Sequence, residues 1–286
     1  MLVSFKEILS DAYKNKYAVG AFNCLGIENV LGAIQAAEEL KSPIILQLAE
    51  VQFPYAPIEL MAPVFLEAAR NAAVPVSVHL DHGQSFYTCA KAIKLGFNSV
   101  MIDSSSLPLL ENVAATREVV KMANAFGVCV EAELGKVGDT GEGIGETGCS
   151  EMSADVFTDV EESAFFIEQT RVDALAVAIG NLHGKYIHTP QLNTLRVKEI
   201  KEKNNIPLVL HGGSGTSVSD FKACIHNGIS KINVATAIQM GITAKIQEYL
   251  KTASSPNYIE MKYKMVEASK EVVADHIRLF ESAGRY

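Results

Sequence analysis

Val74-Pro75-Val76-Ser77-Val78-His79-Leu80-Asp81-His82-Gly83, "VPVSVHLDHG", starts as a buried strand and ends in two imidazoles, a carboxylate and a glycine. A strand end needs only a turn residue, which Gly83 alone supplies, so the polar cluster is surplus to folding. The same alternation of a short β-branched run and a longer helical segment extends outward in both directions. The runs are "YAVGAFN" (17–23), "SPIILQLA" (42–49), "SVMIDSS" (99–105), "VCVEAELG" (128–135), "ALAVAI" (174–179), "IPLVLHGG" (206–213) and "KINVAT" (231–236). With the opening stretch they make eight strands. Between them, segments such as "IENVLGAIQAAEEL" and "LLENVAATREVVKMANAFG" repeat apolar residues at three- and four-residue spacing, as helices packed on a sheet require. Near-continuous apolar strands imply burial on both faces, as in a parallel sheet, and eight βα units are the number that closes a (β/α)8 barrel.

A doubly wound open sheet is the alternative, but "AFNCLG" after the first strand lacks its G-x-G-x-x-G phosphate turn. The chain has 286 residues, 48% of them hydrophobic and 20% charged, which suits one barrel domain over 1–286 with a sizeable core. After the eighth strand come two helical patterns, "AIQMGITAKIQEYLK" and "YIEMKYKMVEASKEVVADHIRLFESAG", one more than a barrel needs. An extra terminal helix covers either a barrel end or an oligomer contact. One irregular, glycine-rich stretch, "GKVGDTGEGIGETGCSEMSADVFTD" after the fifth strand, is a candidate lid over the site.

A net charge of −8 argues against nucleic acid or an anionic membrane as partner, since both select for clustered Lys and Arg. The five cysteines, Cys24, Cys89, Cys129, Cys149 and Cys224, include no C-x-x-C pair, which argues against a disulfide framework or thiolate zinc site and for a reducing cytoplasm. No segment reads as a signal peptide or a membrane span.

A barrel collects its chemistry where the strands end at the C-terminal face. Those ends supply Asn23, Asp81 with His82, Asp103, Glu133, His183, His211 and Asn233. Any one of them has a structural explanation, because a strand-end Asp often caps a helix and a lone His is more often a surface residue. Their repetition on one rim does not. His82-Gly83, His183-Gly184 and His211-Gly212 share one form, an imidazole followed by a glycine that lets the backbone come close. Three such histidines suit a zinc or related divalent ion with an open coordination position. His79, His226 and His276 read as structural or exposed, and His188 is open to either reading.

The strings "HLDHG", "VEAELG", "AVAIG..HG.Y", "PLVLHGGSG" and "SKINVAT", in this order over nearly the whole chain, resemble the class II, zinc-dependent ketose-bisphosphate aldolases, the group of the fructose- and tagatose-1,6-bisphosphate enzymes. The resemblance implies reversible cleavage of a ketose bisphosphate to dihydroxyacetone phosphate and an aldehyde such as glyceraldehyde 3-phosphate, with Zn2+ bound by His82, His183 and His211. It implies that Asp81 exchanges a proton with the C4 hydroxyl, while a glutamate on the loop after the fifth strand takes the C3 proton. Glu142 is the nearest match, and Glu146 stays open because "GDTGEGIGETG" departs from the family's G-G-x-E-D-G. Asp103 and Glu133 correspond to carboxylates near the metal, read here as outer support.

The substrate phosphate falls to the backbone of Gly212, Gly213 and Ser214 at the start of the next helix and to "NVAT", Asn233, Val234, Ala235 and Thr236. Asn23 faces the same substrate. The Gly184 carbonyl corresponds to a contact with a monovalent cation, Na+ or K+, and a homodimer or homotetramer is implied. Two departures bear on the aldehyde. Ala49 stands where relatives carry Ser or Thr, and "NVAT" looks more like the tagatose branch, so an aldehyde with another anionic tail, such as a sulfonate, stays open.

Rival classes fit less well. A Schiff-base aldolase needs a lysine at a strand's C-terminal end. Lys231 opens the eighth strand and so faces away, and Lys136 and Lys185 are in loops. A metal-dependent barrel hydrolase would bring an H-x-H pair on its first strand, which "YAVGAFN" lacks. A non-catalytic sugar-phosphate binding protein would have no use for Asp81.

Overall fold

The computed structural model describes residues 1–135, 137–139, 157–183, 191–213 and 216–286, with backbone alone at 138, 139 and 183. Eight parallel strands close into a barrel: β1 (Val19–Asn23), β2 (Ile44–Ala49), β3 (Val76–Gly83), β4 (Ser99–Ile102), β5 (Cys129–Leu134), β6 (Ala174–Val177), β7 (Leu208–Leu210) and β8 (Ile229–Val234). Each strand pairs with its neighbours in sequence, and β8 closes on β1 through Val19↔Lys231 and Ala21↔Asn233. This is a (β/α)8 barrel. The helices between strands pack their apolar faces against it, as with α2 (Ile27–Leu40), α3 (Ile58–Asn71), α4 (Phe86–Lys94), α5 (Leu109–Ala125), α6 (Val160–Thr170) and α7 (Thr194–Lys203). No helix among the described residues is long and apolar enough to cross a membrane.

Because side chains alternate along a strand, inward residues stack in layers. The inward residues of β1, β2, β6 and β7 are apolar: Val19, Ala21, Ile45, Ala174, Ala176 and Val209 form one cluster with α1 (Phe5–Asn15) through Phe5, Ile8, Leu9 and Ala12. That i, i+3, i+4, i+7 stripe makes α1 a plug in the N-terminal mouth of the barrel, a role its interspersed charges hid in the sequence. The inward residues of β3, β5 and β8 are polar instead, with His79, Glu131 and Lys231 buried below Asp81, Glu133 and Asn233.

Of the two C-terminal helices, α9 (Thr236–Thr252) completes the eighth βα unit. The additional helix α10 (Tyr258–Leu279) covers neither barrel end; it lies across α2 on the outer wall. Gly32 permits this approach, since a Cβ there would sit 2.6 Å from Ser269 Cβ and 2.7 Å from the Val266 carbonyl oxygen.

Candidate active site

Strand β3 delivers two consecutive functional side chains to one side, which regular pleating forbids. With His79 and Asp81 inward, His82 belongs to the helix-facing side. His82 instead adopts the left-handed region, φ 42°, and the β3–β4 register shifts between Leu80 and Gly83. This bulge turns His82 into the barrel mouth beside Asp81, at a backbone cost on the order of 1–3 kcal/mol for a non-glycine residue. Gly83 is required by packing as much as by turning: a Cβ there would lie 2.6 Å from the Met101 carbonyl oxygen.

The rim side chains form one connected network. Asp81 accepts from Asn23 Nδ2 at Oδ2 and from Asn233 Nδ2 at Oδ1, both at 2.9 Å. Gln47 Nε2 donates to Asn23 Oδ1 at 2.8 Å, fixing that amide in turn. His82 Nδ1 lies 2.7 Å from Asp103 Oδ2, while Asp103 Oδ1 accepts from the Ser105 hydroxyl and backbone N–H. His211 Nε2 lies 2.8 Å from Glu131 Oε1. A carboxylate only accepts, so each imidazole donates from that nitrogen and turns its other one inward. Those inward nitrogens, His82 Nε2 and His211 Nδ1, face each other at 2.9 Å, and Glu133 Oε2 is 3.4 Å from His211 Nδ1.

Electrostatics match these roles. Burial, with the charges of His82 and Lys231 added, holds the His211 imidazole well below its ordinary value and therefore neutral. Burial alone would raise Asp81, but the charges of His82 and Lys231 and the hydrogen bond from Asn23 outweigh it and hold the carboxyl below its usual range. Asp103 is likewise lowered, its hydrogen bond from His82 overcoming burial.

The family model described as "Fructose-bisphosphate aldolase class-II" matches residues 3–285. The chain belongs to that family. A probable fructose-bisphosphate aldolase of Bacillus subtilis (strain 168) is 41% identical over 290 residues, which cover 99% of this chain and 99% of the relative. A sulfofructosephosphate aldolase of Alkalicoccus urumqiensis is 37% identical over 286 residues, 99% of this chain and 98% of the relative. Among solved structures, the YdjI aldolase of Escherichia coli K12 aligns with a TM-score of 0.89 at 35% identity, covering 100% of this chain and 99% of that one. The protein is thus an aldolase, a carbon–carbon lyase, from a metal-dependent family that acts on phosphorylated sugars.

The aldolase's donor set fits a divalent cation. One atom each from Asp81, His82 and His211 lies within 4.8 Å of the others, and the same is true of His82, Asp103 and Glu133. Two imidazole nitrogens 2.9 Å apart must share a proton or be bridged by a cation, and Glu133 Oε2 beside them is buried with no hydrogen-bond partner. His183, in a two-residue strand Leu182–His183 that pairs with Gly138–Asp139, lies beyond the end of β6 rather than on it. Its ring, Gly184, Ser214, His188, Lys185, Lys136 and the loop glutamates Glu142 and Glu146 fall outside the described residues or side chains, as does most of the expected lid.

Two expectations are corrected by this geometry. Lys231 does not face away: β8 begins at Ile229, two residues earlier than its sequence pattern suggests, so Lys231 shares the inward face with Asn233. Gly212 and Gly213 do not open the next helix either. That helix, α8 (Val218–Asn227), is capped by the Ser217 hydroxyl, which accepts from Asp220 N–H. It is α9 that starts immediately after β8, at Thr236, with no side-chain cap from Ala235.

Sequence reading missed Glu131, Gln47 and Asn181, whose Nδ2 donates to the His211 carbonyl oxygen at 2.9 Å. For Glu131 the signal was available: "VEAEL" places it two residues from Glu133, hence on the same face. The four described cysteines, Cys24, Cys89, Cys129 and Cys224, are unpaired and buried.

Burial, reinforced by the Asp103 charge, pushes the Glu133 carboxyl up to about 8 from its ordinary 4.5. Between those values the metal-free fold keeps a proton that the unfolded chain has released. Stability from this group is therefore complete below pH 4.5 and lost as pH rises towards 8. Metal-free Glu133→Gln lacks this titration, so urea midpoints at pH 5 and pH 8 should fall less with rising pH in the variant than in the parent. Equal slopes would place the Glu133 proton elsewhere.

Proposed function

We propose that this aldolase cleaves a ketose 1,6-bisphosphate of the tagatose or fructose type to dihydroxyacetone phosphate and an aldehyde such as glyceraldehyde 3-phosphate, with Zn2+ as its metal. The observation that carries this reading is the convergence of His82 Nε2 and His211 Nδ1 beside an Asp81 carboxylate held by two amides. Imidazole donors suit zinc, and His183 is the third ligand. The bound ion supplies positive charge for the carbonyl and hydroxyl oxygens of dihydroxyacetone phosphate.

The chain's own groups do the rest. Asp81, ionised and aimed by Asn23 and Asn233, takes the C4 hydroxyl proton on cleavage and returns it on condensation. Asp103 orients His82, and Glu133 stands close enough to the paired nitrogens to hold the ion in a second position. Backbone N–H groups of Gly212, Gly213 and Ser214 and of the Asn233-Val234-Ala235-Thr236 turn hold the phosphate, the latter with the positive end of α9 behind them. Asn23 contacts the substrate, and the Gly184 carbonyl binds a monovalent cation, Na+ or K+.

Glu142, on the loop after β5, is the base that takes the C3 proton. Glu142→Ala should suppress C3 proton exchange of dihydroxyacetone phosphate by roughly two to four powers of ten with zinc content unchanged, and Glu146→Ala should do little. The reverse ranking would move the base to Glu146. The chain is read as one barrel domain over 1–286, cytoplasmic, and a homodimer or homotetramer.

A second substrate reading has its own support. Ala49 pairs in register with Asp81, so no hydroxyl is offered at the end of β2. A sulfofructosephosphate aldolase is among the relatives. A ketose 1-phosphate with a sulfonate tail is the corresponding alternative. Retro-aldol assays with fructose 1,6-bisphosphate, tagatose 1,6-bisphosphate and a sulfonated ketose 1-phosphate decide between them. The bisphosphate reading expects the highest kcat/KM on one of the first two, and a preference for the sulfonate would overturn it.

A further inference from the structure

Below the rim, Lys231 and Glu131 form an ion pair with no solvent exposure on either side chain, Lys231 Nζ lying 2.9 Å from Glu131 Oε2. Removing two charges from water is costly, and their attraction rarely returns a surplus over an apolar pair. What distinguishes this pair is what each partner also touches. Glu131 Oε1 meets His211 Nε2 at 2.8 Å. Lys231 Nζ donates to Asn233 Oδ1 at 2.8 Å, and the other end of that amide donates to Asp81 Oδ1 at 2.9 Å.

We propose that Lys231 and Glu131 are positioning residues, a single buried ion pair that orients His211 on one side and, through Asn233, Asp81 on the other. Each target has two states that differ by which end of a ring or amide faces the site. An imidazole can carry its proton on either nitrogen; Glu131, an acceptor, holds it on Nε2 and leaves Nδ1 towards His82. The Asn233 amide can turn over; Lys231, with donors only, holds its oxygen downward and its NH2 towards Asp81. Reversed, the amide would set an oxygen against the carboxylate. His79 braces the pair from beneath. Its Nδ1 is held by the Ser99 hydroxyl at 2.8 Å, its Nε2 lies 3.6 Å from Glu131 Oε2, and Phe5 of the α1 plug stacks on its ring at 5.1 Å. This inference rests on the metal role of His211 and the proton role of Asp81 proposed above.

The test has one readout on the parent protein and two on variants. In the metal-free parent, nitrogen NMR of labelled histidine, with His211 assigned by its loss in His211→Ala, should show the Nε2–H form; the Nδ1–H form would overturn the proposal. Glu131→Gln should weaken zinc affinity, measured by chelator competition, by roughly ten- to a hundredfold. Lys231→Met at saturating zinc should lower carbon–carbon cleavage at least tenfold more than C3 proton exchange, through kcat rather than KM. The doubly neutral Glu131→Gln, Lys231→Met leaves no unpaired buried charge and should show both effects even if either single variant fails to fold. Folded variants with parental zinc affinity and a parental ratio of cleavage to exchange would reduce the pair to a structural element. Failure of the parent itself to bind zinc or to cleave would instead count against the proposed function, while the tautomer result would still stand.

Discussion

His211→Ala should leave the barrel folded but empty of metal, with retro-aldol turnover reduced by at least about three powers of ten. The ring contributes one of the two inward-facing nitrogens, and alanine offers no replacement. An ion left with fewer imidazoles is weakly held and misplaced, and several kcal/mol of charge stabilisation leave with it. Folding should survive because the Glu131–Lys231 pair remains intact beneath the vacated ring. Metal analysis after gel filtration, beside a circular dichroism spectrum, checks both halves. A variant that retained zinc and activity would remove His211 from the ligand set.

Asp81→Ala should divide the reaction at its two proton transfers. The imidazole pair and the C3 base remain, so solvent exchange of the C3 proton of dihydroxyacetone phosphate should persist in part. Cleavage should fall by roughly two to four powers of ten, the usual worth of a positioned acid/base. Asn23 and Asn233 lose their shared acceptor in this variant. Some loss of stability, on the order of 1–3 kcal/mol for the stranded donors, should therefore accompany the kinetic effect without touching metal content. A parallel fall of exchange and cleavage would make Asp81 an orienting group rather than the C4 acid/base.

The barrel was legible because its signal is periodic and local. β-Branched runs alternate with amphipathic helices, and polar residues recur where the runs stop. The candidate residues followed from the rule that a barrel gathers function at one rim, which is why Asn23, Asp81, His82, Asp103, Glu133, His211 and Asn233 could be named together. What stayed hidden depends on contacts between strands. His82 faces the mouth only because the β3–β4 register slips after Leu80 and its backbone turns left-handed, and no local pattern announces that slip. Lys231 was misread through a strand start two residues too late, which moved an interior ammonium to the wrong end. The α1 plug was obscured because charges on its solvent side interrupt an apolar stripe that becomes meaningful only against the barrel floor. The turn at Gly212-Gly213 reads in the sequence as the start of the next helix, whereas α8 begins only at Val218 after its Ser217 cap, and α9 is the helix that starts at a strand end.

Metal dependence of cleavage is tested most directly by a chelate-and-restore assay on the purified protein, in which dihydroxyacetone phosphate release from the preferred ketose phosphate is followed before chelation, after it, and after adding one equivalent of zinc per chain. Release should be lost with the metal and regained with zinc, because the paired imidazoles of His82 and His211 have no catalytic use without a bound ion. Undiminished cleavage by metal-free protein would contradict it, and would turn attention to a metal-independent route through the same barrel.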